Sequence, residues 1–544
     1  GLLNSVNQLI FNKISSYFLV IFGKKSYIYG QNGYIMKYNS QAKQLRLDIF
    51  SGTLEKSLDP SNRWYKLANL MPWDKIERIY NKSLRNQHSG GGNKPARMVI
   101  GALIIKHKMN LSDEETIRLI AENPYMQYFI GLEEFTSKPV FDSSLFVYVR
   151  KRMNVESINE MSLAMMEAEW GKGVESEGGG GNESDNADKK KDEQKNEDDS
   201  FVDEEGMLHK GSIKIDATCC DVEVRYPTDL DLLNDAREVS ERLIDKLCRL
   251  SGSPKPRTHR KRARHHYLQV IKKKRKSKQL IRKGIKQQLG YLCRNLRSIT
   301  DIVSKGSTSM FDSLTKKEKQ WIGTIIKVYH QQKGMYDTHT HQCPDRIISV
   351  FQPHVRPIVR GKSKSKVEFG SKIGASVVGG YTFIDHFSWD AYNESEDMER
   401  HIKAYYERFG YLPTTCYADK IYMNRENRAL LKRYHIRAAG KPPGRPSKEM
   451  QTEVCRREAA KDEGKRNEVE STFGTDKRVY RVNNVRAKLP DTADVWTAAC
   501  FFVKNVMKFL KGLLFVLFEK MLLEVKKKFS AINRELLFSL KTVA

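Results

Sequence analysis

The chain has 544 residues, enough for about two to four domains with cores of their own. Its formal net charge of +29 calls for a polyanionic partner, nucleic acid or an anionic membrane surface. No apolar run reaches the roughly 18–20 residues that cross a bilayer, and the eight cysteines, with no CxxC pair, read as reduced thiols rather than a disulfide scaffold.

Residues 1–35 precede the first methionine, Met36, and lack the charged, apolar, small-residue order of a signal peptide. They are expected to be upstream sequence or a non-native segment. Residues 36–172 are expected to form an all-α, DNA-binding N-terminal domain. Within it, "SDEETIRLIAENPYMQYFIGL" opens on a capping box, Ser112 and Glu115. "SSLFVYVRKRM" (143–153) reads either as a DNA-recognition helix or as one more structural helix, and both readings stay open.

Residues 173–205 are polar, Gly-rich and charged at their start, which predicts a disordered linker. "SIKIDATCC" then reads as a buried strand carrying Asp216, within a first core segment at 206–227. A basic helical insertion follows at 228–340. Its densest part, residues 255–288, holds Arg260, Lys261, Arg262, Arg264, Lys272, Lys273, Lys274 and Arg275. A charge run is usually a solvated face, but one this long and single-signed favours phosphate contacts, which position DNA without reading its sequence. "HTHQC" (339–343) lacks a second ligand pair at structural-zinc spacing.

The rest of the core is expected at 341–490. Two strands in 366–388 meet at Gly379-Gly380, a hairpin signal. A helix with an acidic start follows, then the strand "LPTTCYADKIYM" with Asp419, a helix capped by Asn424, a short strand and a Pro/Gly loop at 440–446. The next helix holds Glu470, and residues 491–544 read as C-terminal helices. "FFVKNVMKFLKGLLFVLFEKMLLEV" there is interrupted by four lysines and reads as a packed amphipathic helix, with contact to a membrane surface as the lesser alternative.

Acids at two strand ends and on a late helix can converge at one edge of an α/β sheet. Converging carboxylates need neutralising, which hard divalent cations do best, and two such ions about 3.5–4 Å apart can promote phosphodiester chemistry. Singly, each acid has a plainer reading. Asp216 can be a turn residue with Asp221 as a rival, Asp419 an Asx turn, and Glu470 has Glu468 beside it. Arg466, Glu470 and Lys477 lie four and seven residues apart, offsets that return to nearly one helical face.

Three strings carry a resemblance: "KIDATCCDVEVRYPTDLDLLNDARE", "YADKIYMNRENRALLKRYHIRAAGKPPGRP" and "RNEVESTFGTDKRVYRVNNVRAKL". In this order they resemble bacterial insertion-sequence transposases of the DDE class, in the grouping of insertion-sequence families four and five, over most of residues 55–515. Such enzymes show Arg, three residues, Glu, six residues, Lys, the spacing of Arg466, Glu470 and Lys477. Two features depart from that family: Glu463 stands where the fuller signature has Tyr, and Gly474 interrupts the helix between Glu470 and Lys477.

The resemblance implies an α/β, RNase H-like catalytic core with a helical insertion after its first strand. Asp216, Asp419 and Glu470 would be catalytic and hold two Mg²⁺ ions, with Mn²⁺ able to substitute, and Arg466 and Lys477 would contact DNA phosphates. It implies cleavage and strand transfer at the element's terminal inverted repeats and into target DNA. It also implies a homodimer on double-stranded DNA and a cytoplasmic, nucleoid-associated protein with no membrane partner. The alternative is a decayed or repurposed transposase that binds DNA without cutting.

Overall fold

The computed structural model describes residues 54–84, 93–174, 200–305, 312–359, 367–439 and 453–515. Residues 1–35, the Pro/Gly loop at 440–446 and most of the expected linker lie outside the described residues. All of the described residues except Asn93 belong to one compact unit, Asp48–Arg85 with Lys94–Ala544.

The N-terminal helices are α1 (Leu54–Ser57), α2 (Arg63–Leu70), α3 (Trp73–Lys82), α4 (Ala96–Met109), α5 (Asp113–Glu122), α6 (Pro124–Phe129), α7 (Leu145–Arg152) and α8 (Val155–Val174). The Ser112–Glu115 capping box forms as its sequence predicts. Helix α4 is apolar on nearly every side and is buried without a break from Val99 to His107. Inside it the buried Lys106 pairs with Asp113 at 2.9 Å and lies 4.6 Å from the Trp496 ring. Asp113 also takes both Nη atoms of Arg150, at 3.1 and 2.8 Å. Arg150 is the first of the three cations of the possible recognition helix, and it is spent on packing while Lys151 and Arg152 stay exposed.

Strands β1 (Phe201–Val202) and β2 (Leu208–His209) pair as a small hairpin, so residues 201–205, which composition placed in the linker, are folded. Strand β3 (Ser212–Asp221) follows. Helices α9 (Asp229–Ser251), α10 (Arg260–Ile271), α11 (Lys278–Lys305) and α12 (Lys316–Asp337) follow, and α9, α11 and α12 close around an apolar core of their own, built on residues such as Leu233, Val239, Ile244, Leu292 and Ile325. The chain returns as β4 (Arg356–Val359), β5 (Val367–Val378) and β6 (Tyr381–Ser388). Gly379 and Gly380 turn the β5–β6 hairpin with φ of +54° and +81°, positive at both central positions as the tight hairpin turn requires. Then come α13 (Met398–Phe409), β7 (Thr415–Tyr417), α14 (Arg425–Arg433), β8 (Arg437–Ala439), α15 (Glu453–Arg478) and α16 (490–515).

One six-stranded sheet runs β4-β5-β3-β7-β8, with β6 also paired to β5. β3 is antiparallel to β5 and parallel to β7, and β7 is parallel to β8. Strand β5 must pass close to β3: a Cβ on Gly370 would come within 1.9 Å of the Cys220 carbonyl oxygen. A single apolar core joins the N-terminal helices, the sheet and α16. Polar ties cross the same boundary. Asn159 exchanges hydrogen bonds with the backbone of Ile384 at 2.8 and 3.2 Å, and Lys508 of α16 pairs with Glu169 of α8 at 2.8 Å.

Candidate active site at the edge of the sheet

Strand β3 alternates along its first half. Ile213, Ile215 and Ala217 are buried, while Ser212, Lys214 and Asp216 are half-buried on the other face. Lys214 is the last β3 residue paired with β7, and its partner is Tyr417. Asp216 stands two residues beyond Lys214 and Asp419 two beyond Tyr417. The parallel register therefore sets the two acids level, Asp216 midway along β3 and Asp419 just past the end of β7. A 3-10 turn, Lys420–Tyr422, begins immediately after Asp419.

Helix α15 packs on β3 and β7. Its inner stripe is Val469, Phe473 and Asp476. Glu470 lies one step round from that stripe, and its Oε1 is 2.9 Å from Nη1 of Arg466. The same nitrogen lies 3.4 Å from Oδ1 of Asp419. Glu468 is engaged differently, in an ion pair with Lys214. The structure thus brings Asp419, Arg466 and Glu470 together above the strand that carries Asp216.

Lys477 sits elsewhere. It lies seven residues beyond Glu470, about 10 Å along a helix, and its Nζ is 3.9 Å from Glu368. Glu368 belongs with Cys219 and Asp221, whose ligand atoms fall within 4.8 Å of one another, the one group of that kind among the described residues. Asp221 is committed there, accepting the Phe369 N–H at 3.2 Å. Burial, reinforced by Cys220, Asp221 and Glu368, pushes the Cys219 thiol up. A protonated thiol beside a lysine makes a poor soft-metal ligand set. The His339–Cys343 stretch forms no such group among the described residues.

In the basic segment the cations divide. Arg260 pairs with Asp245 at 2.6 Å and donates to the Glu241 carbonyl at 2.8 Å, so it fastens α10 to α9. Lys261, Arg262, Arg264, Lys272, Lys273, Lys274 and Arg275 are exposed.

Sequence reasoning missed Asn427. Its Nδ2 donates to the carbonyls of Ser395 (2.7 Å) and Tyr422 (2.9 Å), tying the turn after Asp419 to the segment before α13. An Asn three residues into a helix gives no sign of that.

Two family models match this chain. Residues 416–507 match a Transposase DDE domain, and residues 52–152 match a model described as a transposase domain. Both models describe transposase domains. Both are typical of the grouping of insertion-sequence families four and five that the sequence resembles. The DDE match takes in Asp419, Arg466, Glu470 and Lys477 and begins after Asp216; the other takes in α1 to α7. An uncharacterized protein, ORF8 in the nfe locus of Rhizobium meliloti, is 31% identical over 121 residues, which is 22% of this chain. The chain spans 58% of that relative's length. No solved structure matches. Among the described residues, no helix is long and apolar enough to cross a membrane.

Asp419 and Glu470 share one guanidinium and Asp216 lies on the neighbouring strand, but the ligand oxygens of the three do not fall into one group within 4.8 Å.

Proposed function

We propose that this chain is a DDE transposase with an RNase H-like core, which binds the terminal inverted repeats of its insertion sequence and catalyses strand cleavage and strand transfer. One observation supports the reading: Arg466 reaches both Asp419 and Glu470, beside the strand whose register with β7 sets Asp216 level with Asp419. A central β3 that is antiparallel to the β5–β6 hairpin on one side and parallel to β7 and β8 on the other supports the fold assignment.

Asp216, Asp419 and Glu470 would hold two Mg²⁺ ions, or Mn²⁺ in their place. When bound, these would supply an activated attacking oxygen and a stabilised leaving oxygen. The chain's own groups orient the DNA. Arg466 stands beside the acids and is placed to take a phosphate next to the reacting bond. Lys477, at the far end of the same face, would meet the backbone further along, and the exposed cations 261–264 and 272–275 would hold the duplex by its phosphates. Two ends must be cut and joined together, so a homodimer on DNA is expected by symmetry. The same reading makes the protein cytoplasmic and nucleoid-associated.

Mg²⁺- or Mn²⁺-dependent cleavage of a fragment carrying the element's own ends tests this, with Asp419→Ala as control. Cutting at the element boundary that vanishes in the variant supports the reading. Tight, salt-sensitive binding with no cutting by the intact protein would overturn it in favour of a decayed, DNA-holding copy.

A further inference from the structure

We propose that α14 and the β1–β2 hairpin form a binding site for single-stranded DNA leaving the catalytic edge. This deepens the transposase reading and rests on it.

Helix α14 starts next to Asp419. Its cap, Asn424, is five residues further on, and its side chain accepts the Asn427 N–H. From there Arg425, Arg428 and Lys432 recur at helical spacing on one exposed stripe. Among the described residues, no carboxylate lies within ion-pair distance of Arg428 or Lys432. The stripe is a line of uncompensated charge running from the acids toward the start of β8.

It ends in an open groove of about 490 Å³, lined by Phe201, Arg428, Lys432, His435 and Ile436 among others. His435 turns the chain from α14 into β8 at φ +52°, in the left-handed region. Phe201 comes from the hairpin and is 41% exposed. Its ring lies flat on that of His209, with centroids 4.5 Å apart and 5° between planes. His209 is fully buried and fixed by Asp203 at 3.0 Å, and the next N–H, from Lys210, bonds the Leu412 carbonyl at 2.8 Å. A short hairpin thus holds an aromatic ring rigidly at the wall of a cationic groove.

Cations along a track with a flat aromatic at its end fit an unpaired strand. The backbone follows the charges, and a base whose face is no longer covered by its neighbour can stack on the ring. Inside a duplex every base face is covered by its neighbours, so only the end pairs could reach the ring.

The test is fluorescence anisotropy with the full chain, comparing a labelled oligothymidine with a blunt duplex that carries one element end. The double variant Arg428→Glu, Lys432→Glu is expected to lower the ratio of single-strand to duplex affinity about tenfold near 0.1 M salt, and to reduce the salt slope for the single strand by about one to two. Phe201→Leu, which keeps an apolar side chain in the hairpin, is expected to weaken oligothymidine about fivefold with the slope unchanged. Equal weakening of both ligands, or none, would overturn the site. A charge effect without a Phe201 effect would overturn its assignment to single strands. Cleavage of an element-end fragment by the wild-type chain tests the transposase reading separately, so the failure of one is distinguishable from the failure of the other.

Discussion

Arg466 and Asp419 meet at 3.4 Å across 47 residues of sequence, and the same guanidinium nitrogen lies 2.9 Å from Glu470. Two carboxylates brought this close repel each other, and a cation between them relieves the repulsion. Both acids are more than half exposed, so the ion pairs themselves add only about 0–1 kcal/mol to stability. Arg466→Ala should therefore leave the melting temperature within a few degrees of wild type while reducing DNA cleavage about 100-fold or more. Thermal denaturation beside a cleavage assay checks both halves. A large fall in melting temperature would make Arg466 a structural residue.

In the proposed site, altering one carboxylate would act on the metals directly. Asp216→Asn, Asp419→Asn and Glu470→Gln should each lower cleavage by at least about 100-fold and weaken Mn²⁺ binding measured by calorimetry. Glu468→Gln should keep most of the activity, because Glu468 is paired with Lys214 instead. Comparable loss from Glu468→Gln would move the metal site along α15.

The basic segment should separate by side-chain environment. Replacing Lys272, Lys273, Lys274 and Arg275 with Ala should reduce the salt slope of duplex binding by about three to four, with unfolding unchanged. Arg260→Ala should do the reverse, since Arg260 is occupied by Asp245 and the Glu241 carbonyl. It should cost about 1–3 kcal/mol of stability with little change in the slope. Equilibrium denaturation and anisotropy at several salt concentrations distinguish them.

Asp476 gives α15 a pH signature. It is buried, neither carboxylate oxygen has a hydrogen-bond partner, and burial raises its pKa to about 7 against the pull of Lys504. The folded state holds the proton more tightly than the unfolded chain does. Its contribution to stability is thus complete below about pH 4 and is lost as pH rises through about 7. Lys504, lowered to about 8 by burial, works in the opposite sense: its contribution is complete above about pH 10.5 and is lost as pH falls through about 8. Asp476→Asn should flatten the stability curve between about pH 5 and 8 and stabilise the protein at pH 8 by about 1–3 kcal/mol. Denaturant unfolding at a series of pH values measures this, and an unchanged curve would mean that the carboxylate finds a partner in solution.

Much of the local structure was legible because its causes are local. The capping box needs only Ser112 and Glu115, and the β5–β6 turn needs only two adjacent glycines. The order of Asp216, Asp419 and Glu470, and the four- and seven-residue offsets around Glu470, can be read off the chain. So can the single-signed charge of residues 255–288, which asks for a polyanion.

What each charged side chain is left free to do was decided only by tertiary structure. Helical geometry put Arg466, Glu470 and Lys477 on one face, but rise per residue carries Lys477 away to Glu368 while Arg466 stays between two acids. Arg150 and Arg260 look in sequence like their exposed neighbours, yet Asp113 and Asp245 claim them. Glu468 and Glu470 are equivalent in composition until Lys214, more than 250 residues earlier, engages one and leaves the other at the edge. The reason is physical: periodicity and capping act over a few residues, whereas the pairing of charges depends on which surfaces the packed core brings face to face.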